Sequence, residues 1–336
     1  MIPDAQLQAQ LPHTLRHIDL PALGELYRGK VRDNYSRGDR IVMITTDRIS
    51  AFDHVLGTIP FKGEVLSRLT AFWFDKVKDI APTHLLEVPD PSVQVVKRAK
   101  PLPIEIVIRG YITGSLWRDY EAGRAGAYGI PWPKGLVKDQ KLEKPIVTPS
   151  TKAEYGKHDE PISEQEILSR KLVLPDVWKE ATTIAHRLFQ RGQEWAAKRG
   201  LILVDTKYEM GIVEEGGSAG HRGGASAEPR GGKLVVIDEI HTPDSSRYWV
   251  AQGYADRFAK GQDQEMLDKE NIRQWLIKEH GFSGHGKPPA LTDEVRVMLA
   301  RKYIEVFERL TGETFTSGTG SVEERIKRNL ASKGYL

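Results

Sequence analysis

The sequence predicts an α+β fold, and three observations carry that expectation. Residues 201–211, LILVDTKYEMG, open on four apolar residues and then alternate, as a strand does when it starts buried on both faces. Residues 234–239, LVVIDE, form a second apolar run that ends in acids. Residues 63–77, 176–199, 269–279 and 293–310 instead read as helices, the first two carrying apolar residues at helical spacing, and past the second strand and the turn after it the rest of the chain is helical.

Within 201–211, successive side chains of an extended chain point to opposite faces. Asp205, Lys207 and Glu209 therefore share one face and Thr206, Tyr208 and Met210 the other. Charge on a face that begins in a core needs a partner or an ion. If 234–239 pairs with this strand as a hairpin, Glu209 and Asp238 converge on one cation. Oxygen ligands of that kind suit Mg²⁺ shared with nucleotide phosphates. A charge ladder on a wet sheet is the competing reading, and the flanking apolar runs argue against it.

With 336 residues the chain has room for two or three domains. Its 39% hydrophobic and 28% charged content is that of an ordinary globular protein. The net charge of +3 suits small anionic substrates and is too weak to point to nucleic acid. No cysteine is present, which excludes disulfides, thiolate catalysis and cysteine-ligated metal. The first ten residues lack a signal-peptide layout and no apolar run reaches membrane-spanning length, so a cytoplasmic protein without a membrane partner is expected. Monomer and small homo-oligomer both stay open.

Taken in order, LGELYRGKVRDNY at 23–35 reads as strand, tight turn, strand, with Lys30 and Arg32 on one face after Gly29. Walker A spacing is absent, but a Gly turn followed by Lys can cover nucleotide phosphates, as in kinases; a plain basic edge strand is the alternative. RIVMITT at 40–46 is a strand running into DRISAFDH at 47–54, read as a polar loop at a sheet edge or a turn rich in capping residues. The helix at 63–77 is core. PIEIVIRGYITGS at 103–115 brings Arg109, Ser115 and free backbone N–H groups together, the donors that hold a phosphate or carboxylate. A helix N-cap at Ser115 beside a surface arginine is the alternative.

Residues 143–161 are polar and without period, a long loop whose groups of interest are Lys152, His158 and Asp159. Ser163 with Glu166 makes a capping box, and Gly200 stops the helix at 176–199. Residues 214–232, EEGGSAGHRGGASAEPRGG, read as a flexible insertion at a hairpin tip. Its Arg222 and Arg230 precede Gly-Gly as in single-strand binders, but without aromatics, which favours a plain linker. Asp244 and Arg247 are placed in a turn at 241–249, and Thr292 and Ser321 are helix N-caps.

Taken together, GKVRD at 29–33, TDRISAFD at 46–53, LPIEIVIRGYITGS at 102–115, TPSTKAE at 148–154, HDEPIS at 158–163, LVDTKYEMG at 203–211 and IDEIHTPDSSRYW at 237–249 resemble the SAICAR synthetase family in its longer form. The resemblance covers most of the chain. It implies a small antiparallel-sheet N-terminal lobe (1–108) on a larger α/β lobe (109–264) with C-terminal helices (265–336), and ATP in the cleft between, similar to kinases and ATP-grasp enzymes. It implies an ATP- and Mg²⁺-dependent ligase of purine biosynthesis joining L-aspartate to carboxyaminoimidazole ribonucleotide (CAIR) through an acyl phosphate. Gly29, Lys30 and Arg32 then belong to the ATP site, Glu209 and Asp238 hold metal, and Lys207 lies near the phosphates. Arg109, Ser115 and Arg247 match substrate-holding positions, with Lys152, Asp159 and Asp205 assigned to the same group. His158 and Asp159 are the candidates for accepting the amine proton. A kinase-type phosphotransferase is the alternative function, and a nucleotide- or RNA-binding module built on the insertion is a more distant one.

Overall fold

The computed structural model describes residues 2–152, 159–214 and 232–336. His158, Arg222, Arg230 and nearly all of the insertion lie outside the described residues. After α1 (Asp4–Gln10) come β1 (Glu25–Arg28), β2 (Arg32–Arg37), β3 (Arg40–Thr45), β4 (Arg48–Ala51), β5 (His54–Thr58), α2 (Lys62–Lys76), β6 (Leu85–Asp90) and β7 (Val93–Lys97). Strands β1, β2, β3, β7 and β6, in that order, form an antiparallel sheet. Arg28 faces Asp33 across the expected tight turn, and the Gly29 N–H donates to the Arg32 carbonyl at 2.8 Å.

The polar stretch after β3 is a hairpin, β4 with β5, and not an edge loop. Left-handed backbone at Phe52 (φ 49°) and Asp53 (φ 64°) makes its two-residue turn. Of its polar residues Asp47, Arg48 and Ser50 are buried, and Arg48 bonds inward. Arg48 donates to Asp33 (2.8 Å) and to the carbonyls of Gly29 and Lys30 (both 3.0 Å), fixing the Gly29–Lys30 turn from behind.

The next elements are β8 (Lys100–Pro101), β9 (Ile104–Ile112), α3 (Gly114–Glu121), β10 (Gln140–Val147), β11 (Ser150–Thr151), α4 (Glu164–Ser169), α5 (Pro175–Ala197), β12 (Leu201–Glu214), β13 (Gly232–Ile237) and β14 (Ser246–Val250). Their second sheet runs β10-β9-β12-β13, with β11 beside β9 and with β8 and β14 beside β12. All its pairings are antiparallel. The expected hairpin is present: Glu209 on β12 faces Ile237 on β13. Two readings change. Part of the presumed loop at 143–161 is strand, hidden from periodicity because β10 is mostly exposed or half-buried and is held by backbone pairing with β9. Arg247 lies in β14, paired with Asp205, rather than in a turn. The border expected at 108/109 falls inside β9.

Helices α6 (Tyr254–Ala259), α7 (Glu270–His280), α8 (Asp293–Thr311) and α9 (Val322–Ser332) complete the chain. One continuous core joins α2, β9, α5, β12 and α8 through Trp73, Ile108, Phe189, Tyr208 and Tyr303. A smaller core seats α9 on the first sheet through Tyr35, Val95 and Ile326. The capping box at Ser163 and the caps at Thr292 and Ser321 are formed. Among the described residues no helix is long and apolar enough to cross a membrane.

Candidate active site

Two depressions lie along β12. The smaller, about 370 Å³, is walled by Tyr27, Gly29, Lys30, Arg32 and Met43 from the first sheet and by Lys152, Glu209 and Asp238 opposite. The hairpin register leaves Asp238 one residue beyond the partner of Glu209, and left-handed backbone (φ 65°) ends the strand there. Arg32 donates to Asp238 at 2.6 Å and lies 2.9 Å from Glu239. Lys152 donates to Glu209, so it belongs to this depression and not to the larger one.

Burial, with the charge of Glu209, pushes the Asp238 carboxyl up to about 6 against the pull of Arg32. For Glu209, burial is outweighed by Lys207 and Lys152, and its pKa falls to about 2. A carboxyl that burial and a neighbouring carboxylate make costly to ionise fits a site completed by a divalent cation. Among the described residues no group of three or more His, Cys, Asp or Glu is placed to hold a metal alone. Two carboxylates are what Mg²⁺ uses when phosphates and water complete its shell.

The larger cavity, about 660 Å³, begins at Lys207 and Glu105. Lys207 Nζ is 2.5 Å from Glu105 and 3.4 Å from Glu209, so it stands at the junction with the smaller depression. Burial works against the Lys207 charge, but Glu209 and Glu105 outweigh it and hold its pKa above the ordinary lysine value. Lys30 lines both depressions and is paired with Asp53 of the β4–β5 turn.

Further along β12, Asp205 faces Arg109 on β9 and Arg247 on β14, so strand pairing delivers two guanidinium groups to one carboxylate. Arg109 donates to Asp205 at 3.0 Å, to Thr148 at 2.8 Å and to Ser115 at 3.1 Å; Arg247 donates to the same Asp205 oxygen. The Ser115 hydroxyl thus serves Arg109, while the N-cap position of α3 is Thr113. Gly114 is required: its φ is +57°, and a Cβ there would lie 2.2 Å from Arg247 Nη2. Two buried cations on one anion, with Arg118 and Arg273 lining the same cavity, make this end attractive to a phosphate or carboxylate. Asp159 lines the cavity as well.

Sequence reasoning missed several groups. Glu105 shares a strand face with Arg109, four residues on, and that spacing was a usable signal. Lys62 and Lys269 gave none, and Asp244, noted only as a turn residue, gave no hint of the lysine it pairs with. Lys62 opens α2, is fully buried and lies 2.8 Å from Asp244, which also accepts from the Tyr303 hydroxyl at 2.5 Å.

Known proteins give independent support. A family model of SAICAR synthetase matches residues 25–288. A phosphoribosylaminoimidazole-succinocarboxamide synthase of Legionella pneumophila (strain Lens) is 43% identical over 326 residues, covering 95% of this chain and 98% of the relative. Its counterpart from Bacteroides fragilis (strain ATCC 25285) is 44% identical over 322 residues, covering 94% and 97%. Among solved structures, a SAICAR synthase from Saccharomyces cerevisiae complexed with SAICAR is 30% identical with a TM-score of 0.74, covering 90% of this chain and 100% of that one. The chain belongs to the SAICAR synthetase family.

Proposed function

We infer that the two depressions divide the reactants of one reaction, ATP occupying the smaller and CAIR with L-aspartate the larger. The chain is an ATP-dependent ligase of purine biosynthesis, joining L-aspartate to the carboxylate of CAIR and giving SAICAR, ADP and phosphate. The observation that carries the division is the 3.4 Å between Lys207, lining the larger cavity, and Glu209, lining the smaller. A phosphoryl group passing between them meets both. The kinase-type alternative is not favoured, since the close relatives carry the ligase name.

A carboxylate is a poor acyl donor because its leaving group is oxide, so amide formation needs activation. A CAIR carboxylate oxygen attacks the γ-phosphorus, the bond to ADP breaks with its electron pair on ADP, and an acyl phosphate results. Lys30 and Arg32 stand over the phosphates, and Lys207, kept protonated by its two glutamates, offsets charge on the transferring group. Glu209 and Asp238 would hold Mg²⁺, which when bound draws charge from the phosphate oxygens. Arg109, Arg247 and Ser115 grip the phosphate of CAIR while Asp205 keeps the two arginines in place. The aspartate amine then attacks the acyl carbon, phosphate leaves with the C–O electron pair, and the nitrogen gives its proton to a base, for which Asp159, lining the cavity, is the candidate.

In this reading residues 1–108 cover ATP, 109–264 hold the reactants and 265–336 brace them, and the enzyme works in the cytoplasm, where ATP and aspartate abound. A coupled ADP assay omitting one substrate at a time is the test. Sustained ADP release without aspartate would overturn the ligase reading in favour of a phosphotransferase.

A further inference from the structure

Arg32 joins the two sheets at the acids of the smaller depression. Its guanidinium, on β2, donates to Asp238 at 2.6 Å and lies 2.9 Å from Glu239, the two residues that follow β13. In an extended chain such neighbours point to opposite faces. Left-handed backbone at Asp238 (φ 65°) breaks the alternation, and both carboxylates reach one guanidinium. Strained backbone of this kind gathers at functional sites. The two acids differ in what else they meet. Asp238 lines the depression, whereas Glu239 is 7% exposed, lies behind that wall and has its second oxygen on the Thr242 hydroxyl. Arg32 is thus anchored at the back by Glu239 and covers Asp238 at the front. Lys152 and Lys207 stand against Glu209 in the same way. Each acid assigned to Mg²⁺ is therefore matched by a cation of this chain, and the site repels a divalent ion that comes alone.

We propose that Arg32 is an electrostatic gate on the metal acids, hinged on Glu239: without nucleotide it covers Asp238 and turns a bare divalent cation away, and with ATP it swings to the phosphates while Glu239 keeps it in reach. This rests on the ATP and metal assignments above and adds an order to them, metal entering with the nucleotide and not ahead of it. Glu239 is then a positioning residue, acting through Arg32 and touching neither ATP nor metal. The exchange is electrostatically balanced. Asp238 gives up a guanidinium for a metal ion, Arg32 gives up one anion for another, and no buried charge is left without a partner. Arg32 is held for this at its backbone as well, its carbonyl accepting from the Gly29 N–H at 2.8 Å and from Arg48 at 3.2 Å, so that only the side chain has to move.

The test is titration with Mn²⁺, followed by electron paramagnetic resonance of the free ion, on wild type and Arg32→Met, each with and without ADP. With the gate removed, Arg32→Met binds Mn²⁺ without nucleotide roughly tenfold more tightly than wild type does. Equal or weaker binding overturns the proposal. Steady-state kinetics supply the second arm. Glu239→Gln leaves Asp238 as the one charged partner of Arg32, so the KM for Mg·ATP rises roughly tenfold while kcat and the KM for CAIR stay within about threefold. Added to Arg32→Met, the same change has little further effect. A Glu239→Gln that lowers the melting temperature without raising the KM for Mg·ATP makes Glu239 a mere brace between the sheets and overturns the hinge. Should Arg32→Met not fold, that kinetic result decides alone. Wild type that binds no Mn²⁺ even with ADP refutes the metal assignment beneath the proposal, whereas ADP-dependent binding with no gain in Arg32→Met refutes the gate only.

Discussion

Gly114→Ala separates the two jobs of a residue that touches both backbone and site. The added Cβ would sit 2.2 Å from Arg247 Nη2, far inside contact distance, at a backbone φ of +57°. The left-handed conformation costs an L-residue about 1–2 kcal/mol. The steric conflict is relieved by swinging the guanidinium, the far end of a flexible side chain, off Asp205, whose charge Arg109 still offsets. Folding therefore suffers mildly, with a melting temperature lower by at most about 8 °C for ~2 kcal/mol. Function suffers more. The contact to the ribonucleotide proposed for Arg247 is charge-assisted and as such worth about 1.5–3 kcal/mol, so kcat/KM for CAIR is expected to fall roughly 10- to 150-fold, mostly through KM. The KM for ATP stays put. A double-mutant cycle sharpens the point: with Arg247→Ala already in place the Cβ has room, and Gly114→Ala adds little. Full additivity, or an unchanged KM for CAIR in the single variant, would refute the reasoning.

Three further outcomes are expected. Glu209→Gln and Asp238→Asn each abolish ATP-dependent SAICAR formation while circular dichroism and melting stay native-like; normal turnover of either at saturating Mg²⁺ removes the metal assignment. Arg109→Ala and Arg247→Ala raise the KM for CAIR more than that for ATP, and the reverse ranking would exchange the two depressions. Acid stability is the third. His241 is fully buried, bonded to the Tyr208 hydroxyl at 2.5 Å, and burial lowers its pKa to about 3. The unfolded chain, with histidine near 6.5, takes up the proton first as pH falls. Stability is therefore present above about pH 6.5 and declines below it, by about 1.4 kcal/mol per pH unit for one such group. His241→Asn should flatten melting temperature against pH between 6 and 4, and an unaltered slope would assign the acid sensitivity elsewhere.

Local pattern made part of this molecule legible. Alternation in 201–211 gave the face shared by Asp205, Lys207 and Glu209, and apolar runs ending in acids pointed to the hairpin that sets Glu209 beside Asp238. The caps at Ser163, Thr292 and Ser321 are short-range signals and were read directly. What escaped depended on residues distant in the chain. Asp205 finds its arginines 96 and 42 residues away, and no spacing rule reports that. Strand β10 buries little, so it showed no hydrophobic period. Lys62 looks like any lysine opening a helix until Asp244 and Tyr303 arrive from elsewhere.

Strand β12 also acts as a ruler. From Asp205, at the end proposed for the ribonucleotide, to Glu209, at the end proposed for ATP, is four residues, about 13 Å at the usual rise per residue, with Lys207 as the midpoint graduation. Because alternate residues share a face, that span changes only in steps of about 6.6 Å, and a single inserted residue turns one end of the scale toward the core. Substrates of other lengths must then be met by changes in the walls, since the scale itself has no finer division.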